Sequence, residues 1–144
     1  MSRTLLFFFI VDLILKPFRT DDFVAKLYFE TSRFTALQYQ WQVRARINDN
    51  TPHPHTTSVR SLSYQLVLKS KISQPIDLKF FILKGPHADS SACQIQPIIY
   101  HFEFSPNNLE TEYMKLPINS QECNRMLSLS SISFRLLMVQ LDRS

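Results

Sequence analysis

Apolar and polar side chains alternate from residue 35 onward. Leu37, Tyr39, Trp41, Val43, Ala45 and Ile47 interleave with Gln38, Gln40, Gln42, Arg44 and Arg46, a period of two that predicts a strand with one apolar and one polar face. Residues 48–55 are dense in Asn, Pro and His and read as a loop. The next strand is expected near Val59, with Leu62, Tyr64, Leu66, Leu68 and Ile72 inside, Ser63, Gln65 and Lys69 outside, and Val67 breaking the rule. Gln74-Pro75 turns the chain. Ile76, Leu78, Phe80 and Ile82 then alternate with Asp77, Lys79 and Phe81 as far as a Lys84-Gly85-Pro86-His87 stop. A further strand sets Ile98, Tyr100, Phe102 and Phe104 against Ile99, His101 and Glu103 and closes at Ser105-Pro106-Asn107-Asn108.

Residues 112–118 read as a short edge strand, because Pro117 is tolerable only where no central ladder bond is needed. Ser120 is a fitting N-cap and Glu122 a first-turn anion for a short helix over 120–127. Ile132, Phe134, Leu136 and Met138 form a last strand whose other face, Leu137, Val139 and Leu141, is also apolar, so both sides are expected to be covered. Thr20-Asp21-Asp22 either caps a second short helix reaching Phe29 or leads into a strand through Leu27 and Phe29. Six to eight short strands without regular long crossovers predict an all-β antiparallel sandwich with one or two short helices.

The stretch 5–15, Leu-Leu-Phe-Phe-Phe-Ile-Val-Asp-Leu-Ile-Leu, follows Arg3 and has the length of a signal-peptide core. Asp12 interrupts it, no small-x-small cleavage site follows, and it is too short to span a bilayer as a helix. A strand or helix packed on the domain, a poorly ordered terminus, and a tether or signal all stay open. The organisation expected is an apolar segment 1–15 followed by a sandwich domain 16–144.

Composition narrows the chemistry. With 44% hydrophobic residues the chain can build a core without metal or disulfide support. It carries a single glycine, Gly85, which excludes Walker and dinucleotide phosphate loops and a G-x-S-x-G elbow. A net charge of +4 without a dense Lys/Arg run gives no nucleic-acid patch. Cys93 and Cys123 form no C-x-x-C pair, and they read as reduced thiols of a cytoplasmic protein. No N-x-S/T sequon occurs, which points the same way.

Catalytic and metal constellations are weak. His87, Cys93, His101 and Cys123 can be drawn as a zinc set, yet their spacings match no compact ligand pair. His53 and His55 fall in the 48–55 loop. Serines are abundant but none is singled out beside a His and a carboxylate, and the Asp21-Asp22 pair is explained by helix capping. No enzyme activity, metal or cofactor is expected. Trp41, central in the strongest strand, reads as the core anchor. Phe81, on the polar face of its strand, is either exposed for a partner or covered by the N-terminal apolar segment, and the cover is the expectation.

Several stretches together carry a resemblance. Pro17-Phe18-Arg19-Thr20-Asp21-Asp22-Phe23, Arg33-Phe34, Trp41 with Val43, the run 62–71 (LSYQLVLKSK), Leu83-Lys84-Gly85-Pro86, Ile99-Tyr100-His101-Phe102, Leu116-Pro117-Ile118, Glu122-Cys123-Asn124 and the closing FRLLMVQ resemble the C-terminal half of the cysteine-and-histidine-rich proteins with a TRAF-type zinc finger. The likeness runs from about residue 16 onward and leaves residues 1–15 unmatched. It implies a TRAF-like, MATH-related sandwich binding protein partners in the cytoplasm, an adaptor in a ubiquitin-signalling context. The family's zinc ligands would lie upstream, so none is carried over. Such domains take an extended peptide beside a strand, which by analogy puts the groove near 98–104 and 112–118, with His101, Glu103, Tyr113 and Lys115 as partner-binding residues. No heptad run is present, so a monomer is expected. The alternative is a membrane-tethered or secreted sandwich using residues 5–15.

Overall fold

The computed structural model describes residues 5–17, 28–49, 60–84, 98–116 and 132–142. They form nine strands: β1 (Leu5–Pro17), β2 (Tyr28–Glu30), β3 (Phe34–Ala36), β4 (Tyr39–Asp49), β5 (Arg60–Leu68), β6 (Ile76–Lys84), β7 (Tyr100–Phe104), β8 (Met114–Leu116) and β9 (Ile132–Leu141). All pairings are antiparallel, and they link into one curled sheet ordered β7-β6-β9-β1-β2-β4-β5-β8, with β3 also on β4. The expected all-β sandwich is what forms. The helix expected at 120–127 lies outside the described residues. So does most of the stretch 20–29, of which Tyr28–Glu30 is strand.

The curl is made by β1. Its residues up to Leu15 pair with β9, while Lys16 and Pro17 pair with Glu30 and Phe29 of β2. One strand thus belongs to both halves, β7-β6-β9-β1 and β2-β4-β5-β8, which fold face to face. Leu13 and Leu15 point inward and are buried, whereas Phe8, Ile10 and Ile14 stay exposed. Phe81 was expected beneath this segment; instead β1 lies in the plane of the same sheet, two strands away. Phe81 aligns with Leu137, and Leu137 with Ile10, so all three share the outer face.

The core is aromatic. Trp41 is fully buried, donates its indole N–H to the Ala36 carbonyl at 2.8 Å, and meets the Phe104 ring edge-on at 5.2 Å across the sandwich. Truncating such a residue costs about 3–5 kcal/mol. Tyr64 of β5 likewise meets Phe80, Tyr100 and Phe134 of the opposite half, with centroids 6.1–6.5 Å apart.

Two local features depart from the simple alternation. Leu37 and Gln38 form the two-residue turn between β3 and β4, not the start of a strand, and both have positive φ (55° and 71°). That is the geometry of a type I′ turn, more often built from Asn-Gly; here Leu37 packs on the core. Ser63 and Gln65, expected outside on β5, are buried. Their strand runs between β4 and β8, so Arg46 and Lys115 flank Ser63 while Arg44 flanks Gln65, and long stems on both sides cover the shorter side chains. Val67, the exception to the alternation, is buried too.

Candidate interaction edge

The strands β7 and β8 are the two ends of the sheet path. Because β1 closes the opposite side, both ends lie on the one open side of the sandwich. Phe102 and Phe104 of β7 stack edge-on at 4.7 Å and anchor that strand, leaving His101 and Glu103 exposed on the outer face. Tyr100 faces inward and its hydroxyl donates to the Lys115 carbonyl of β8 at 2.8 Å. Burial raises the Tyr100 phenol above its ordinary range, which keeps it protonated as that donor. This bond ties the two sheet ends together. It also fixes the backbone of β8, since a Lys115 carbonyl reaching Tyr100 points away from β5.

His101 rests against the carboxylate of Asp77, which β6 carries and the fold buries. A carboxylate only accepts, so the ring Nε2 holds the proton at this contact. Glu103 stands directly opposite Asp77 and His101 opposite Lys79. These four side chains gather in one polar corner beside the β7 edge.

The segment from β7 to β8 is riveted to β5. Ser105 and Asn108 exchange two backbone bonds in a tight turn. Leu68 N–H then donates to the Leu109 carbonyl, Thr111 N–H donates to Leu66, and the buried Thr111 hydroxyl accepts from Leu66 N–H at 3.0 Å. Gln65 donates to the Thr111 carbonyl at 2.9 Å. Beyond this rivet Tyr113 is half-buried under the Arg46 guanidinium, 4.2 Å from the ring centroid. Its phenol is pushed up by desolvation, against the opposing pull of Arg44 and Arg46. Tyr28, Glu30, Arg44 and Tyr113 border a recess of about 330 Å³.

Of the four residues picked from sequence, His101 and Glu103 share the outer face of one half, and Tyr113 and Lys115 share the outer face of the other. The structure places the two pairs on either side of the open edge, not on one surface. Sequence reading missed Tyr100, whose inward position concealed its tie to β8, and Arg46, whose contact with Tyr113 depends on cross-strand register. Among the described residues no cluster of His, Cys, Asp and Glu could hold a metal ion. His53, His55, His87, Cys93 and Cys123 lie outside them. No helix among the described residues is long and apolar enough to cross a membrane.

Residues 8–142 match the family described as CYHR1 TRAF, C-terminal domain. The chain belongs to this family. Its CYHR1 TRAF C-terminal domain is 47% identical over 129 residues to zinc finger TRAF-type-containing protein 1-A of Xenopus laevis, covering 89% of this chain and 34% of that protein. Against zinc finger TRAF-type-containing protein 1 of Mus musculus and of Homo sapiens the identity is 45% over the same length, 89% of this chain and 32% and 31% of theirs. The chain therefore spans about a third of the curated relatives it matches. Membership in a TRAF-type family points to a role in protein interaction.

Proposed function

We propose that this domain is a non-catalytic, cytoplasmic adaptor module that takes an extended segment of a partner protein along β7. The observation that carries the reading is the edge itself. β7 pairs only with β6 among the described residues and alternates regularly, and its N-terminal approach carries exposed Ile98 and Ile99. An edge strand offers main-chain donors and acceptors for affinity, and alternate side chains for selectivity. The β8 edge is the poorer acceptor, because Tyr100 already occupies the Lys115 carbonyl. His101, held by Asp77, and Glu103 would then read charge on the incoming segment, with Tyr113 and Lys115 flanking it. The names of the relatives support the protein-binding part of this reading.

Photo-cross-linking tests it. A benzophenone amino acid at position 101 or 103 should form adducts with a partner in cell extract, while the same group at Thr35, exposed on β3, should not. Equal adducts at all three positions, or none at 101 and 103, would refute the edge. His101→Ala with Glu103→Ala should reduce capture at least tenfold while circular dichroism still reports the folded sandwich, with melting lowered only by the lost Asp77 contact.

A further inference from the structure

The outer face of the β7-β6-β9-β1 half is not the surface of an ordinary monomer. In register across it run Ile10, Leu137 and Phe81, with Ile99 at the same level just before β7. Phe8 and Val139 form the next rung, and Ile14 and Leu83 extend the patch on the other side. Exposure is high for apolar side chains: Phe8 63%, Ile10 50%, Ile14 59%, Ile99 61%. Taking about 200 Å² for a whole large apolar residue, these and their half-buried neighbours present roughly 600–700 Å² of contiguous apolar surface. That lies at or above the largest patch usual on a monomer, about 300–600 Å². It approaches the roughly 800 Å² per partner of a standard interface.

We infer that this face binds the same face of a second copy of the chain, as a two-fold sheet-on-sheet dimer. Charge decides the occupant. Within the apolar field stands the ion pair Arg135 to Asp12, with Nε–Oδ1 at 2.8 Å and Nη2–Oδ2 at 3.3 Å, and exposed Lys79 marks its margin beside Val139. A lipid surface would place that pair against hydrocarbon with nothing to satisfy its remaining hydrogen-bonding capacity. A two-fold copy brings an Arg135 and an Asp12 of its own, one of each sign, to meet that pair, while Lys79 stays at the margin towards β7. Facing sheets of this kind pack about 10 Å apart at roughly −30°. The β7 edge proposed for the partner segment borders this same face, because His101 and Lys79 continue the rung of Val139 and Phe8; Ile10 and Ile14 stand on β1, at the opposite margin, so substitutions there test the dimer without touching that edge.

Sedimentation equilibrium of the full chain from 1 to 100 µM tests the inference. The expected species is a dimer, and Ile10→Glu and, separately, Ile14→Lys should each weaken it at least tenfold. Both positions are exposed, so far-UV circular dichroism and melting should hold, and either variant suffices if the other fails to fold. A monomer throughout the range overturns the inference, as does a dimer that survives a folded variant or an open ladder of larger species. Co-sedimentation of a monomeric chain with neutral phosphatidylcholine vesicles would also overturn it, assigning the face to lipid.

Discussion

Tyr64→Phe should stabilise this domain, against the usual direction of core substitutions. The Tyr64 ring is packed among Phe80, Tyr100 and Phe134, but its hydroxyl is buried and finds no hydrogen-bond partner among the described residues. An unsatisfied buried hydroxyl costs about 1–3 kcal/mol. Removing it leaves a space of roughly 10 Å³, worth about 0.2 kcal/mol at ~24 cal/mol per Å³. The net gain is about 1–2 kcal/mol, or a rise of roughly 2–8 °C in Tm at this chain length. Urea unfolding at pH 7, followed by Trp41 fluorescence, measures it. The same hydroxyl makes a second, independent prediction. Burial, reinforced by Tyr100, lifts the Tyr64 phenol well above its ordinary value of 10. The folded state then holds its proton longer than the unfolded state. Its contribution is complete below pH 10 and is lost as pH rises above it, by up to about 1.4 kcal/mol per pH unit. The wild type should therefore lose stability between pH 10 and 11 more steeply than Tyr64→Phe. A loss of 1 kcal/mol or more in the variant at pH 7 would refute the argument, because it would mean that the hydroxyl is satisfied.

Gln38→Gly should raise stability by about 0.5–1 kcal/mol, since φ of 71° suits glycine and disfavours other L-residues; Gln38→Val should lower it by at least as much in the same urea assay. Thr111→Val removes the acceptor for the Leu66 N–H at a buried site and should cost about 1–3 kcal/mol. Hydrogen exchange at the Leu66 amide should quicken more than at Leu136 of β9 in the opposite half, and equal change at both would show that the rivet is not built by this hydroxyl.

The strands that face solvent on one side were the ones their patterns reveal. β4 reads plainly because Arg44 and Arg46 alternate with Val43 and Ala45, and the last strand, apolar on both faces, is indeed central between β6 and β1. β1 was legible only as apolar, because a strand rich in Phe, Ile and Leu on both faces has no period to separate it from a helix or a leader. The burial of Ser63 and Gln65 was illegible for another reason: their covers come from β4 and β8, and register is not written in local pattern. The same holds for the candidate site. The β8 edge could be named from Pro117, and β7 entered only through the family resemblance, while the bond from Tyr100 to Lys115 spans the sandwich and has no local signature.

The pairing of β1 with β9 also bears on how the molecule is made. Asp12 and Arg135 are 123 positions apart in sequence. At synthesis rates of about 5–20 residues per second, β1 waits on the order of ten seconds for the strand that covers its edge. Throughout that interval Phe7, Phe8, Phe9 and Ile10 have no sheet to join, and non-local β pairing closes slowly even once both strands exist. The nascent chain is therefore a natural client for a chaperone that shields short apolar segments. Slowing translation ahead of β9 should lengthen that dependence.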